Sequence, residues 1–87
     1  MGEEQTILIV DDHPFFREGL KSLLARSSKY RIVGEAGNGD EAFRKAKELK
    51  PDLIIMDISL PDGSGIDVTQ EIKELFSDTK IVILSMH

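Results

Sequence analysis

Thr6-Ile7-Leu8-Ile9-Val10-Asp11-Asp12 is an apolar run closed by two acids, and Leu53-Ile54-Ile55-Met56-Asp57 repeats the pattern. Neither run alternates with polar residues, which suits strands covered on both faces, as inside a parallel sheet. Outward from the first run, Pro14 stands where a helix begins, a position at which a missing N–H loses nothing. Phe16, Leu20, Leu23 and Leu24 follow at offsets of four, seven and eight, predicting one buried helical face to about Ser27. Tyr30 to Ala36 alternates more and suits an edge strand. Asn38 with Glu41 predicts a capping box opening a second helix, with Ala42, Phe43, Ala46 and Leu49 inward and Lys50-Pro51 as the stop.

Beyond the second run, Leu60-Pro61-Asp62-Gly63 is turn chemistry. A third helix is expected to bury Val68, Ile72, Leu75 and Phe76, again at offsets of four, seven and eight. Ile81 to Leu84 reads as a fourth, wholly apolar strand. The connections are too long for hairpins, so the order βαβαβαβ predicts a parallel sheet with helices on both faces. Nothing after Leu84 supplies a strand to pair with its free edge. The expectation is a chain that self-associates through that edge.

Length and composition narrow the function. Eighty-seven residues allow one domain, and a net charge of −5 argues against direct grip on nucleic acid or an anionic membrane. Zero cysteines exclude a disulfide scaffold and thiol catalysis. The longest apolar runs are four residues, so no membrane span and no signal peptide is expected, and a cytoplasmic protein is.

Three acids fall at strand ends: Asp11, Asp12 and Asp57. In an open parallel sheet the binding crevice lies at the carboxyl ends of the strands, where the strand order reverses. With the order 2-1-3-4, the first and third strands are neighbours and the three carboxylates converge. Like charges oppose one another's ionisation, and a hard divalent cation such as Mg²⁺ relieves this. Ser85 ends the fourth strand on the same rim, placed to hydrogen-bond an anion held at Asp57, although a serine after a strand is often ordinary loop chemistry. His13 is a ligand or proton carrier beside the acids, or, more commonly for such a residue, a solvated one before Pro14. Asp62-Gly63-Ser64-Gly65 either puts backbone N–H groups of a helix start near the site or, more commonly for such a stretch, is a glycine turn. The glycines from Gly34 to Gly39 follow the wrong strand, in the wrong spacing, for a dinucleotide loop.

Three stretches, Ile7 to Pro14, Leu53 to Gly65 and Ile83-Leu84-Ser85, resemble the receiver domain of two-component response regulators. Asp12-His13-Pro14-Phe15-Phe16-Arg17-Glu18-Gly19-Leu20 is most similar to the NarL/FixJ subfamily, with LuxR-type helix-turn-helix output. The resemblance implies a flavodoxin-like, doubly wound parallel sheet of order 2-1-3-4. It implies Asp57 as the phosphoacceptor for a phosphoryl group from a sensor histidine kinase. It also implies Asp12, Asp57 and the backbone carbonyl of Ser59 as direct Mg²⁺ ligands, Asp11 acting mainly through water, and Ser85 as the hydroxyl that reads the phosphoryl group. Phe15 beside the site is either part of a kinase-docking surface or a packing residue.

Such domains run to about 120 residues. The resemblance therefore implies that residues 1–87 are the N-terminal portion of one receiver domain. The fifth strand with its lysine, the last two helices and any DNA-binding domain would lie outside them. Two other readings compete. An aspartyl-nucleophile phosphohydrolase wants a second acid two residues after Asp57, where Ser59 stands. A purely structural or interaction fragment is the other.

Overall fold

The computed structural model describes residues 4–58, 60 and 65–84. Their order is β1 (Gln5–Val10), α1 (Pro14–Ala25), β2 (Tyr30–Ala36), α2 (Gly39–Leu49), β3 (Leu53–Asp57), α3 (Gly65–Leu75) and β4 (Lys80–Leu84). All strand pairs are parallel, and the sheet order is β2-β1-β3-β4, as the alternation of runs and helices predicts. Going from β1 to β2 the chain moves one way across the sheet, and from β2 onward the other. Right-handed crossovers then place α1 on one face and α2 with α3 on the other. Among the described residues no helix is long and apolar enough to cross a membrane.

The core lies between the sheet and the α2–α3 pair. Leu8, Val10, Ile54 and Met56 point from the two central strands into Ala42 and Ala46 of α2 and Val68 and Ile72 of α3. On the α1 face Ile7 and Ile9 are fully buried, yet no residue of α1 itself is. Phe16, Leu20 and Leu24 are half-covered, whereas Leu23 is 62% exposed. Leu75 of α3, expected inward, is likewise exposed at 59%. Each is the offset-seven residue of its stripe. At about 100° per residue it falls roughly 20° outside the first residue of the stripe, while the offset-eight residue falls about 80° inside. Leu24 and Phe76, on the offset-eight side, are accordingly part-covered while Leu23 and Leu75 are not.

Local signals set the helix ends. Asn38 Oδ1 accepts the Glu41 N–H at 2.9 Å, one half of the expected capping box. The other half reaches one residue further back: Glu41 Oε1 accepts the N–H of Gly37, also at 2.9 Å. That bond, helped by Lys45, holds the Glu41 carboxyl below its ordinary range. Lys50 ends α2 in the left-handed region (φ 46°), and Pro51 follows.

A clamp at the base of the sheet positions the acids at its top. Asp52 Oδ2 accepts both the N–H (2.9 Å) and the hydroxyl (3.2 Å) of Thr6, and the Asp52 N–H returns a bond to the Thr6 carbonyl at 3.0 Å. This fixes Ile7 opposite Leu53 and hence Val10 opposite Met56. The next residues, Asp11 and Asp57, emerge level with each other.

Candidate metal centre

Asp11 and Asp57 are each 1% exposed, and Asp12 is part-buried beside them. Burial of charge on this scale demands compensation. Asp11 Oδ1 obtains it locally, accepting the His13 N–H at 2.6 Å in a turn that locks the carboxylate. Asp11 Oδ2 is buried with no hydrogen-bond partner among the described residues. One ligand atom from each of Asp11, Asp12, His13 and Asp57 lies within 4.8 Å of all the others. An octahedral Mg²⁺ shell has trans oxygens about 4.2 Å apart, so a set of this span needs little adjustment to enclose the ion. The orphaned Asp11 oxygen and the all-carboxylate character of the acids therefore fit a hard divalent cation.

The His13 ring lies against the acids while remaining exposed to solvent, so it combines the two sequence readings. Its Nδ1 is 3.0 Å from Asp11 Oδ1, 3.1 Å from Asp12 Oδ1 and 3.6 Å from Asp57 Oδ2, with the side chain half exposed. The hydrogen bond to Asp11, then the charge of Asp12, raises its pKa above the ordinary 6.5. When protonated, the ring adds positive charge beside the acids; when neutral, its nitrogen is one of the clustered ligand atoms.

The structure thus brings Asp11, Asp12 and Asp57 together as the sequence predicts. Ser59 and Ser85 lie outside the described residues, as does Pro61-Asp62-Gly63-Ser64. Gly65 is the first residue of α3, which agrees with a helix start at this stretch rather than with a glycine turn ending there. Phe15 is 94% exposed, which removes it from the packing residues. Sequence reasoning misses Arg17. Its Nη1 donates to the main-chain carbonyl of Asp11 at 2.6 Å, and the signal for it was its place on α1 between the half-covered Phe16 and Leu20.

The response regulator receiver domain family model matches residues 7–87. The transcriptional regulatory protein YdfI of Bacillus subtilis (strain 168) is 49% identical over 81 residues, 93% of this chain and 38% of that protein. The chemotaxis protein CheY of Thermotoga maritima is 46% identical over 79 residues, 91% of this chain and 65% of that protein. The chain thus spans from about two-fifths to two-thirds of these relatives. Among solved structures, a LuxR-family two-component response regulator from Aurantimonas sp. SI85-9A1 superposes with a TM-score of 0.90 at 39% identity, over 98% of this chain and 61% of that one.

Proposed function

This chain belongs to the response regulator receiver domain family, and on that premise we propose that Asp57 is its phosphoacceptor, with Mg²⁺ as the cofactor and a sensor histidine kinase as the donor. The observation that carries the reading is the convergence of three strand-end carboxylates, with Asp57 buried at the end of a central strand. A carboxylate oxygen of Asp57 attacks the phosphorus of a phosphohistidine. The O–P bond forms as the P–N bond breaks, and the departing imidazole nitrogen keeps the electron pair and takes a proton. Mg²⁺, when bound, neutralises charge on the transferring phosphoryl oxygens. Asp12, Asp57 and the Ser59 carbonyl would hold it, with Asp11 acting mainly through water. Asp11 also fixes the β1–α1 turn through the His13 N–H. Ser85 reads the phosphoryl group. Residues 1–87 serve as the N-terminal portion of one receiver domain in a cytoplasmic regulator that reaches DNA through a further output domain. The relatives among transcriptional regulators support that assignment.

Incubation with Mg²⁺ and a small-molecule phosphodonor, followed by intact-mass and peptide analysis, tests the reading. One phosphoryl group on Asp57 is expected. Continuous release of free phosphate without an adduct would instead make the chain a phosphohydrolase, and no reaction at all would make it a non-reactive fragment.

We also propose that residues 1–87 on their own, without a fifth strand beside β4, pair with a second copy through that edge. The two sheet edges differ. β2 carries an extra residue at Val33, where the β1 register steps from Ile32 to Gly34, and charges at Arg31 and Glu35. Bulges and charges of this kind discourage edge pairing. β4 is apolar after Lys80, has no outer neighbour among the described residues, and leaves Val82 and Ile83 about half exposed on opposite faces. Sedimentation of the 87-residue chain should therefore show dimers or larger species at high concentration. A clean monomer with slowly exchanging amides from Ile81 to Leu84 overturns this.

A further inference from the structure

We propose that Arg17 is a positioning residue for the acid cluster, holding the Asp11–Asp12 peptide so that the Asp12 carboxylate faces Asp57. The inference rests on the metal-assisted phosphoacceptor reading of that cluster.

The three acids are not held equally. Asp57 closes a central strand paired on both sides. Asp11 is anchored twice, by its own N–H to the Ala36 carbonyl at 2.9 Å and by its side chain to the His13 N–H. Asp12 lies on the loop with its side chain 31% exposed, and its direction depends on the peptide plane that precedes it. The carbonyl of that plane is the Asp11 oxygen, beyond the last β1 pairs at Val10. Arg17 Nη1 takes it at 2.6 Å. The Asp12 N–H belongs to the same plane, so fixing the oxygen fixes the start of Asp12.

Arg17 is itself held from the other side. Its Nε lies 3.3 Å from Glu35 Oε1 on β2, and Glu35 Oε2 is 2.9 Å from Lys21 Nζ, one turn further along α1. Lys45 of α2 donates to the main-chain carbonyl of Glu35. The β1–α1 loop and β2 thus converge on one guanidinium that is about three-quarters buried, and Lys21 and Lys45 tie down its Glu35 partner. The guanidinium reaches the Asp11 carbonyl and Glu35 from two separate nitrogens of a planar fork, whereas the single nitrogen of an ammonium cannot span both positions in that geometry.

Charge and position predict opposite signs. A lone cation beside a divalent-metal site weakens metal binding, so its removal should tighten it. Glu35 and Glu18 together balance the charges of Arg17 and Lys21, which leaves the geometric effect dominant: removal of Arg17 should weaken binding.

The test is a titration with Mg²⁺ alone, by calorimetry or amide chemical shifts, on the wild-type chain and on Arg17→Met, Arg17→Lys and Glu35→Gln. Amide hydrogen exchange at Asp12 and His13 in metal-free buffer accompanies it. Arg17→Met should raise the Mg²⁺ dissociation constant about fivefold, a loss of about 1 kcal/mol. Arg17→Lys, which keeps the charge, should recover only part of this. Glu35→Gln, which keeps the guanidinium but loosens its anchor, should weaken binding in the same direction. Exchange at Asp12 and His13 should quicken in Arg17→Met and Arg17→Lys without a general loss of protection across β1 and β3. Unchanged or tighter Mg²⁺ binding in Arg17→Met, or a lower melting temperature with metal affinity intact, overturns the positioning role. If the wild-type chain binds no Mg²⁺, the metal reading fails instead, and unaltered exchange at Asp12 would independently refute the hold on the peptide.

Discussion

Mg²⁺ at ten times its dissociation constant is expected to raise the stability of the wild-type chain by about 1.4 kcal/mol. For a domain of this size that is a shift in melting temperature of roughly 6–11 °C. Asp57→Asn should do two things at once. Without metal it should melt higher than wild type, because one of three clustered charges is gone. Charges about 5 Å apart repel by roughly 1–3 kcal/mol over the dielectric range between water and a protein surface. With Mg²⁺ it should lose most of the wild-type shift and acquire no phosphoryl group, since an amide oxygen is a poor nucleophile and a weaker ligand. Thermal scans in chelator and in Mg²⁺ test both arms. A variant that melts lower than wild type in chelator, yet responds to Mg²⁺ as strongly, would show that Asp57 is a structural acid outside the metal shell.

The acids were legible because their placement depends on features the sequence states openly. Two unalternating runs define the central strands, and an acid follows each. Asp52 and Thr6 hold the register at the other end of the sheet, so the strand-end acids arrive level without any further signal. Helical faces were less legible. Periodicity names a stripe but not which of its margins is covered, and Leu23 and Leu75, both at the offset-seven margin, are exposed. Arg17 was legible only as a residue of α1 beside the half-covered stripe, not as a neighbour of the acids. Its partners are a main-chain carbonyl on the β1–α1 loop and a carboxylate on β2, and neither lies at a helical or strand spacing from it. The His13 ring falls between these cases, since its neighbours Asp11 and Asp12 are adjacent in sequence but its approach to Asp57 depends on the pairing of β1 with β3.

Gly65 gives the second large effect. It opens α3 and is buried, and a Cβ added there would lie 2.9 Å from the Ile58 carbonyl oxygen, 3.1 Å from Ile58 Cα and 3.2 Å from the Asp57 carbonyl oxygen. All three atoms are backbone, so no side chain can swing aside. The strand cannot easily yield either. β3 is paired to β1 and β4, and the Ile58 N–H continues the ladder to the Leu84 carbonyl at 3.2 Å. Gly65→Ala must therefore push out the start of α3, which carries Val68 and Ile72 into the core. Overpacking of this kind costs about 1–3 kcal/mol. The better helix propensity of alanine returns at most about 1 kcal/mol, so the net sign remains destabilising. Gly19 of α1 supplies the control, because a Cβ there meets nothing within 4 Å. Gly19→Ala should gain what propensity offers, and the two variants should shift the melting temperature in opposite directions. Mg²⁺ affinity shows which element yields: with the strand held and the start of α3 displaced, both Gly65→Ala and Gly19→Ala should leave it near the wild-type value. Were Gly65→Ala to melt at or above the wild-type temperature, the close approach of α3 to the end of β3 would not be what requires a glycine at this position.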